Sequence, residues 1–174
     1  MEFQTLENSD IALEPLQPSD YERLFQVGSD PEIWAQHPDA NRYQPDGFHV
    51  YFTKLMETDM PFLIIDKARH VVIGATSYYQ YDAAASHIAI GFTFLAKSYW
   101  GGITNRTVKA MLLDHAFQFV DTVIFHVREH NFRSQAALGK LGALKTKAYP
   151  APVDPSTMQF EYEITKVQWR AQQP

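Results

Sequence analysis

The 174-residue chain contains no cysteine, so disulfides, thiolate metal sites and cysteine nucleophiles are excluded, and a reducing compartment is compatible with it. No apolar run approaches the ~20 residues that cross a bilayer. The opening residues, MEFQTLENSD, lack the basic-then-apolar order of a secretory signal, so a cytoplasmic location away from membranes is expected. Basic charge is also short, with 15 Lys and Arg against 20 Asp and Glu and a formal net charge of −5. That balance argues against a nucleic-acid partner, whose phosphates are held by clustered cations, and it would steer a cationic partner more easily. Repeats and low-complexity tracts are missing, and the proline-rich stretch 150–155 is too short for a domain linker. One domain spanning 1–174 is expected at this length.

What is present is a globular composition, 45% apolar and 14% aromatic, far from the signature of disorder. Residues 11–16 alternate like a strand, and after Pro18 a helical pattern runs through Tyr21, Leu24, Phe25 and Gly28. The stretch 30–46 has no clear period; beyond it Phe48, Tyr51, Phe52, Leu55 and Met56 recur at helical spacing. Three β-like runs, 61–66, 71–79 and 87–95, predict an antiparallel meander. From Thr104 the period is helical again, through Val108, Met111, Leu112, Ala116 and Phe119, and 122–127 returns to strand. A crossover of that kind lets the new strand lie parallel to its partner. A helix over 131–141, closed by Gly142, precedes strand-like runs at 143–148 and 158–167. The order β-α-α-β-β-β-α-β-α-β-β is that of a mixed α/β (α+β) fold.

The segment with most chemical content is a strand end, Phe94, Leu95 and Ala96, that passes through Trp100, Gly101 and Gly102 into a helix opened by Ile103, Thr104, Asn105 and Arg106. Glycines let backbone approach an anion, the first helical N–H groups have no intrahelical partner, and the helix dipole adds positive charge at the same point. Arg106 and Lys109 add full charges nearby. The same pattern is also an ordinary strand-to-helix turn with a threonine cap.

This turn, followed by a strand and a second helix carrying Asn131 and Ser134 and ending at Gly142, resembles the GNAT superfamily of N-acetyltransferases. The likeness is greatest to its ribosomal-protein N-terminal (alanine/serine) acetyltransferase-like branch, with Tyr-Trp-Gly at the pyrophosphate loop and Asn-x-x-Ser on the next helix. It covers about residues 71–142. The resemblance implies a mixed, mostly antiparallel sheet of six to seven strands, about four helices and a splayed central strand pair. It implies acetyl-CoA as acyl donor, its pantetheine arm pairing with the backbone of Phe94, Leu95 and Ala96 and its pyrophosphate lying on the amides of residues 100–106. The acceptor would be a primary amine, of a protein N-terminus or a small molecule, attacked directly. A monomer or homodimer is expected.

Three positions depart from the family pattern. Ile103 stands where the loop usually has glycine, and isoleucine resists left-handed backbone, so a weakened or shifted phosphate loop is expected. Ala89 replaces the branch's glutamate base and Leu138 its tyrosine acid. Ser134, or a water it holds, then becomes the candidate acid, with Asn131 facing the thioester end. His87, on the strand face of Ala89 and Gly91, becomes the candidate base. A non-catalytic acyl-CoA-binding module and a nucleotide-binding α/β domain remain as alternatives. His126 and His130 are four apart, but across a strand end rather than along a helix, so no metal is expected. Trp34, His37 and Pro38, with Tyr149 and the 150–155 loop, could wall an acceptor cleft, or Trp34 could pack in the core.

Overall fold

The computed structural model describes residues 4–172. Eight strands form one sheet: β1 (Leu6–Glu7), β2 (Ile11–Pro15), β3 (Met60–Asp66), β4 (Val71–Asp82), β5 (His87–Leu95), β6 (Thr122–Arg128), β7 (Leu144–Pro150) and β8 (Met158–Thr165). Their order across the sheet is β1-β2-β3-β4-β5-β6-β8-β7. Every neighbouring pair is antiparallel except β5 and β6. That parallel pair follows from its connection, because α4 (Thr104–Ala116) carries the chain back over the sheet before β6 begins.

Two apolar layers hold the sheet. On one face α1 (Tyr21–Gly28), α2 (Pro31–Trp34) and α3 (Pro45–Met56) place Leu24, Trp34, Phe48, Tyr51 and Leu55 against Leu63, Ala75 and Phe94. On the other, α4, α5 (Phe132–Leu141) and α6 (Lys166–Ala171) place Val108, Leu112, Leu138, Leu141 and Trp169 against Ile88, Ile90, Phe125 and Ile164. Truncating a fully buried leucine or phenylalanine of either layer to alanine costs roughly 2–5 kcal/mol.

The sequence expectation of a splayed pair is realised with a visible cause. β5 pairs with β6 only at His87↔Thr122, Ile88↔Val123 and Ala89↔Ile124. β6 then follows β8 through to Arg128↔Gln159, while β5 follows β4. Between Gly91 and Phe94 the β5 strand has one residue more than the opposing stretch of β4, a bulge that bends it. Phe92 takes up the bulge at φ 54°, uncommon for a residue with a side chain, and the Tyr51 hydroxyl donates to its carbonyl at 2.7 Å.

The aperiodic stretch 30–46 resolves into α2 and a 3₁₀ turn at Ala40–Tyr43; each is too short for a helical period to register. The sheet has one strand more than the six to seven expected, because β1 is a two-residue strand. The run read as strand to 167 stops at Thr165, which caps α6 through its side chain. Gly142 ends α5 in left-handed geometry, φ 84°, as a C-terminal glycine should.

Candidate active site

The divergence of β5 from β6 opens a cleft of about 900 Å³ through the middle of the sheet. One end is the phosphate-type cradle. Gly101 takes φ 73°, whereas Ile103 has φ −83° and ψ −16°, ordinary helical values that isoleucine adopts without strain. The expected strain at Ile103 is thus absent, because the left-handed step falls two residues earlier. Ile103 occupies the N-cap position without any side-chain cap, its own side chain exposed, and the first helical bond runs from Thr107 N–H to the Ile103 carbonyl. The N–H groups of Thr104, Asn105 and Arg106 therefore have no partner within the helix, and the threonine cap read from the sequence does not form. Above them Arg133 lies 3.8 Å from the Trp100 ring centre, joining this loop to the start of α5.

At the other wall Asn131 caps α5, its Oδ1 accepting from Ser134 N–H at 3.1 Å, and both residues line the cleft with Ala137 and Leu138. Phe94 and Leu95 line it from β5. The Leu95 carbonyl already accepts from Trp100 Nε1 at 2.8 Å, and Ala96 N–H donates to the Ile73 carbonyl of β4 at 2.7 Å, so the edge facing the cleft begins above these two groups. The structure thus brings together Phe94, Leu95, Trp100, Gly101, Gly102, Ile103, Asn105, Arg106, Asn131 and Ser134 around one space.

His87 is not among them. It sits at the closed end of the β5–β6 pair, opposite Thr122, before the splay begins. Its position along the strand separates it from the cleft.

Two basic groups that the sequence reading used otherwise lie inside. Lys109, counted there as a charge near the phosphate loop, is buried, at 7% exposure. Its Nζ donates to Thr93 Oγ1 at 2.6 Å and lies 5.7 Å from the Phe125 ring centre, bridging the splayed strands. Burial pulls its ammonium down to about 7. A visible signal existed, since Lys109 falls in the apolar stripe with Leu112, Leu113 and Ala116. His126 projects from β6 into the cleft. Its Nδ1 is 2.7 Å from the Tyr79 hydroxyl and its Nε2 is 3.6 Å from Glu161. Lys147 binds the other Glu161 oxygen at 2.5 Å. Burial lowers the His126 pKa against the opposing pull of Glu161. Burial would raise Glu161, but the Lys147 contact holds it low. His130 stays exposed beside Glu129, and no cluster of three metal-ligating side chains occurs among the described residues.

The remaining wall comes from the loop after α2. Trp34, His37, Arg42 and Tyr51 line it; Trp34 is also a core residue, donating Nε1 to the Gly28 carbonyl at 2.7 Å. Pro38, Tyr149 and the 150–155 loop are not among the lining residues. Among the described residues no Asp or Glu lines the cleft, although the chain is acidic overall.

The opened parallel pair thus leads directly to the helix start whose first N–H groups have no intrahelical partner. Residues 10–144 match the acetyltransferase (GNAT) domain family. The chain belongs to that family and is an acetyl-CoA-dependent acetyltransferase. A comparison with curated protein sequences finds no match. Among solved structures, the fold is shared with a GCN5-related N-acetyltransferase from Brucella melitensis, at 19% identity, TM-score 0.84 and coverage of 98% of this chain and 82% of that one. It is shared with a GNAT-family acetyltransferase from Bacillus anthracis, at 14%, 0.75, 92% and 98%. A spermidine N-acetyltransferase from Vibrio cholerae, solved with CoA and spermine, aligns at 15%, 0.71, 94% and 99%. No helix among the described residues is long and apolar enough to cross a membrane.

Proposed function

We propose that the protein acetylates a primary amine by direct attack, binding acetyl-CoA in the splay and the amine from the α1–α3 face. The observation that carries this is the end of the β5–β6 ladder at Ala89↔Ile124, which joins an unpaired strand edge to the free N–H groups of α4 in one cleft. A pantetheine arm has two amides that can use such an edge, and Thr104 to Arg106 with Arg133 and Lys140 supply donors and charge for the phosphates. Bound acetyl-CoA supplies an acetyl group activated as a thioester. Asn131 and Ser134 hold its reactive end. Within the family, the Tyr99-Trp100-Gly101 turn and the Asn131 and Ser134 pair favour the N-terminal-acetyltransferase-like branch.

The chain's own residues account for the two protons of the reaction. His126, between the Tyr79 hydroxyl and Glu161, takes a proton from the amine, directly or through water, at the ring nitrogen that carries none in the neutral imidazole. The imidazolium so formed faces Glu161, 3.6 Å away, which stabilises it. Lys109, next to the bulge through Thr93, holds a proton at Nζ for the departing sulfur. An ammonium with a pKa of about 7 is well matched to protonate a thiolate at neutral pH. These two groups stand in for the carboxylate and tyrosine missing at Ala89 and Leu138.

The test is twofold. Acetyl-CoA should raise the melting temperature while ATP or NAD does not, and CoA thiol should be released when an amine panel is supplied. Stabilisation without any amine-dependent thiol would leave an acyl-CoA-binding module and defeat the catalytic reading.

A further inference from the structure

The acceptor end of the cleft is basic, and the cofactor does not account for it. Arg42 stands over two aromatic rings, its Cζ 5.5 Å from Trp34 and 5.1 Å from Tyr51. Its side chain is 13% exposed. One contact is to Asp39, at 3.0 Å from Nη2, and that carboxylate is 62% exposed, so water screens the pair from the Asp39 side. The Arg42 side chain makes no other hydrogen bond among the described residues, which leaves a planar fork of N–H donors reachable from the cleft.

His37 sits beside it, edge-on to Trp34. Its Nδ1 accepts from Asp39 N–H at 3.0 Å, so its remaining proton is on Nε2 as a second donor. Burial, with the charges of Arg42 and Arg128 against that of Asp39, holds its pKa at about 4. It is therefore a neutral donor at physiological pH. Trp34 and Tyr51 belong to the α1–α3 layer, on the face of the sheet opposite α4. The phosphate cradle at the start of α4 is thus served by other cations, and Arg42 is left for something else.

We propose that Arg42 and His37 form a carboxylate subsite, and that the acceptor is an amine carrying a negative charge rather than a polyamine. This rests on the acetyltransferase reading and narrows it. A guanidinium with open N–H groups pairs with a carboxylate through two parallel bonds, and a cleft without a lining Asp or Glu offers nothing to a second or third ammonium group. The stack on Trp34 and Tyr51 fixes the fork, and the Tyr51 hydroxyl is itself tied to the Phe92 carbonyl at the bulge. One ring therefore links the subsite to the place where acyl transfer occurs.

The experiment compares matched acceptors at fixed acetyl-CoA: ω-amino acids of two to six carbons against their carboxamides, tetrapeptide amides with Glu or Gln at the second position, and spermidine. The expected result is a kcat/KM for the best carboxylate roughly tenfold or more above that of its neutral twin, with spermidine the poorest. Arg42→Met, which keeps an apolar stem on the two rings, should erase that preference while the acetyl-CoA-induced rise in melting temperature stays at the wild-type value. Equal turnover of charged and neutral twins, a preference for spermidine, or a preference that survives Arg42→Met would overturn the proposal while leaving the enzyme class intact. Loss of acetyl-CoA stabilisation in the wild type would instead overturn the acetyltransferase reading, and this proposal with it.

Discussion

Lys109 Nζ and Thr93 Oγ1, 2.6 Å apart, tie the helix that starts at the phosphate cradle to the bulged strand beside it. Burial alone lowers the pKa of the lysine. Such a group destabilises the fold whenever it is charged.

That cost is measurable. The folded pKa of Lys109, about 7, lies below its ordinary 10.5, so its contribution is favourable only above 10.5 and is lost as pH falls through 7. Lys109→Met should raise the apo melting temperature by several degrees at pH 7 or below, and the gain should shrink toward pH 10. The same variant should lose most of its kcat, and with it the fall in wild-type kcat above pH 7. A variant less stable than wild type at pH 6, or one with full kcat, would remove Lys109 from the mechanism.

His126→Ala tests the proton acceptor. The expected loss in kcat is about 10²–10⁴-fold, the usual contribution of a positioned acid or base, with the KM for acetyl-CoA unchanged. Because burial lowers the His126 pKa below 6.5, wild-type activity should hold down to mildly acidic pH and then fall, and Glu161→Gln should move that limb further down. His87→Ala should leave both rate and pH profile as they are.

The shifted phosphate loop predicts a contrast between neighbours. Gly101→Ala forces a side chain into φ 73° at roughly 1–2 kcal/mol, and should raise the KM for acetyl-CoA several-fold. Ile103→Ala, at a helical and exposed position, should change it less than twofold. Equal effects would mean that the loop binds in another register. Calorimetric titration with CoA gives the same comparison without turnover.

Three histidines make the apo fold acid-sensitive. His37, His115 and His126 all have pKa values lowered by burial, and His115 Nε2 is buried without a hydrogen-bond partner among the described residues. Each takes up a proton more readily when unfolded, so stability is complete above about pH 6.5 and is lost as pH falls through the lowered values. The melting temperature should therefore drop between pH 6.5 and 4, and His115→Leu should flatten the slope.

Much of the site was legible because it is local. A helix start after two glycines exposes backbone donors whatever surrounds it, and alternation along 87–95 and helical period from Thr104 follow from strand and helix geometry. Asn131 three residues before Ser134 specifies a cap in the same way. Lys109 shows the limit. Its place in an apolar stripe is visible in sequence, but whether a stripe lysine reaches solvent along its stem or stays under a strand depends on what packs above it.

The sequence by itself determined the element order, the glycine turn, the crossover that makes β5 and β6 parallel, and the absence of thiol chemistry, since each depends on neighbours a few residues apart. Only the tertiary structure decided where β5 leaves β6, that the left-handed step is at Gly101 and not at Ile103, and that His126, Lys109 and Arg42 face one cleft while His87 does not. Most of those facts join residues distant in the chain, such as Arg42 with His126 across the cleft or Ala89 with Ile124 at the end of the ladder. Their distance is set by sheet order and by one extra residue in a strand, which no local pattern encodes.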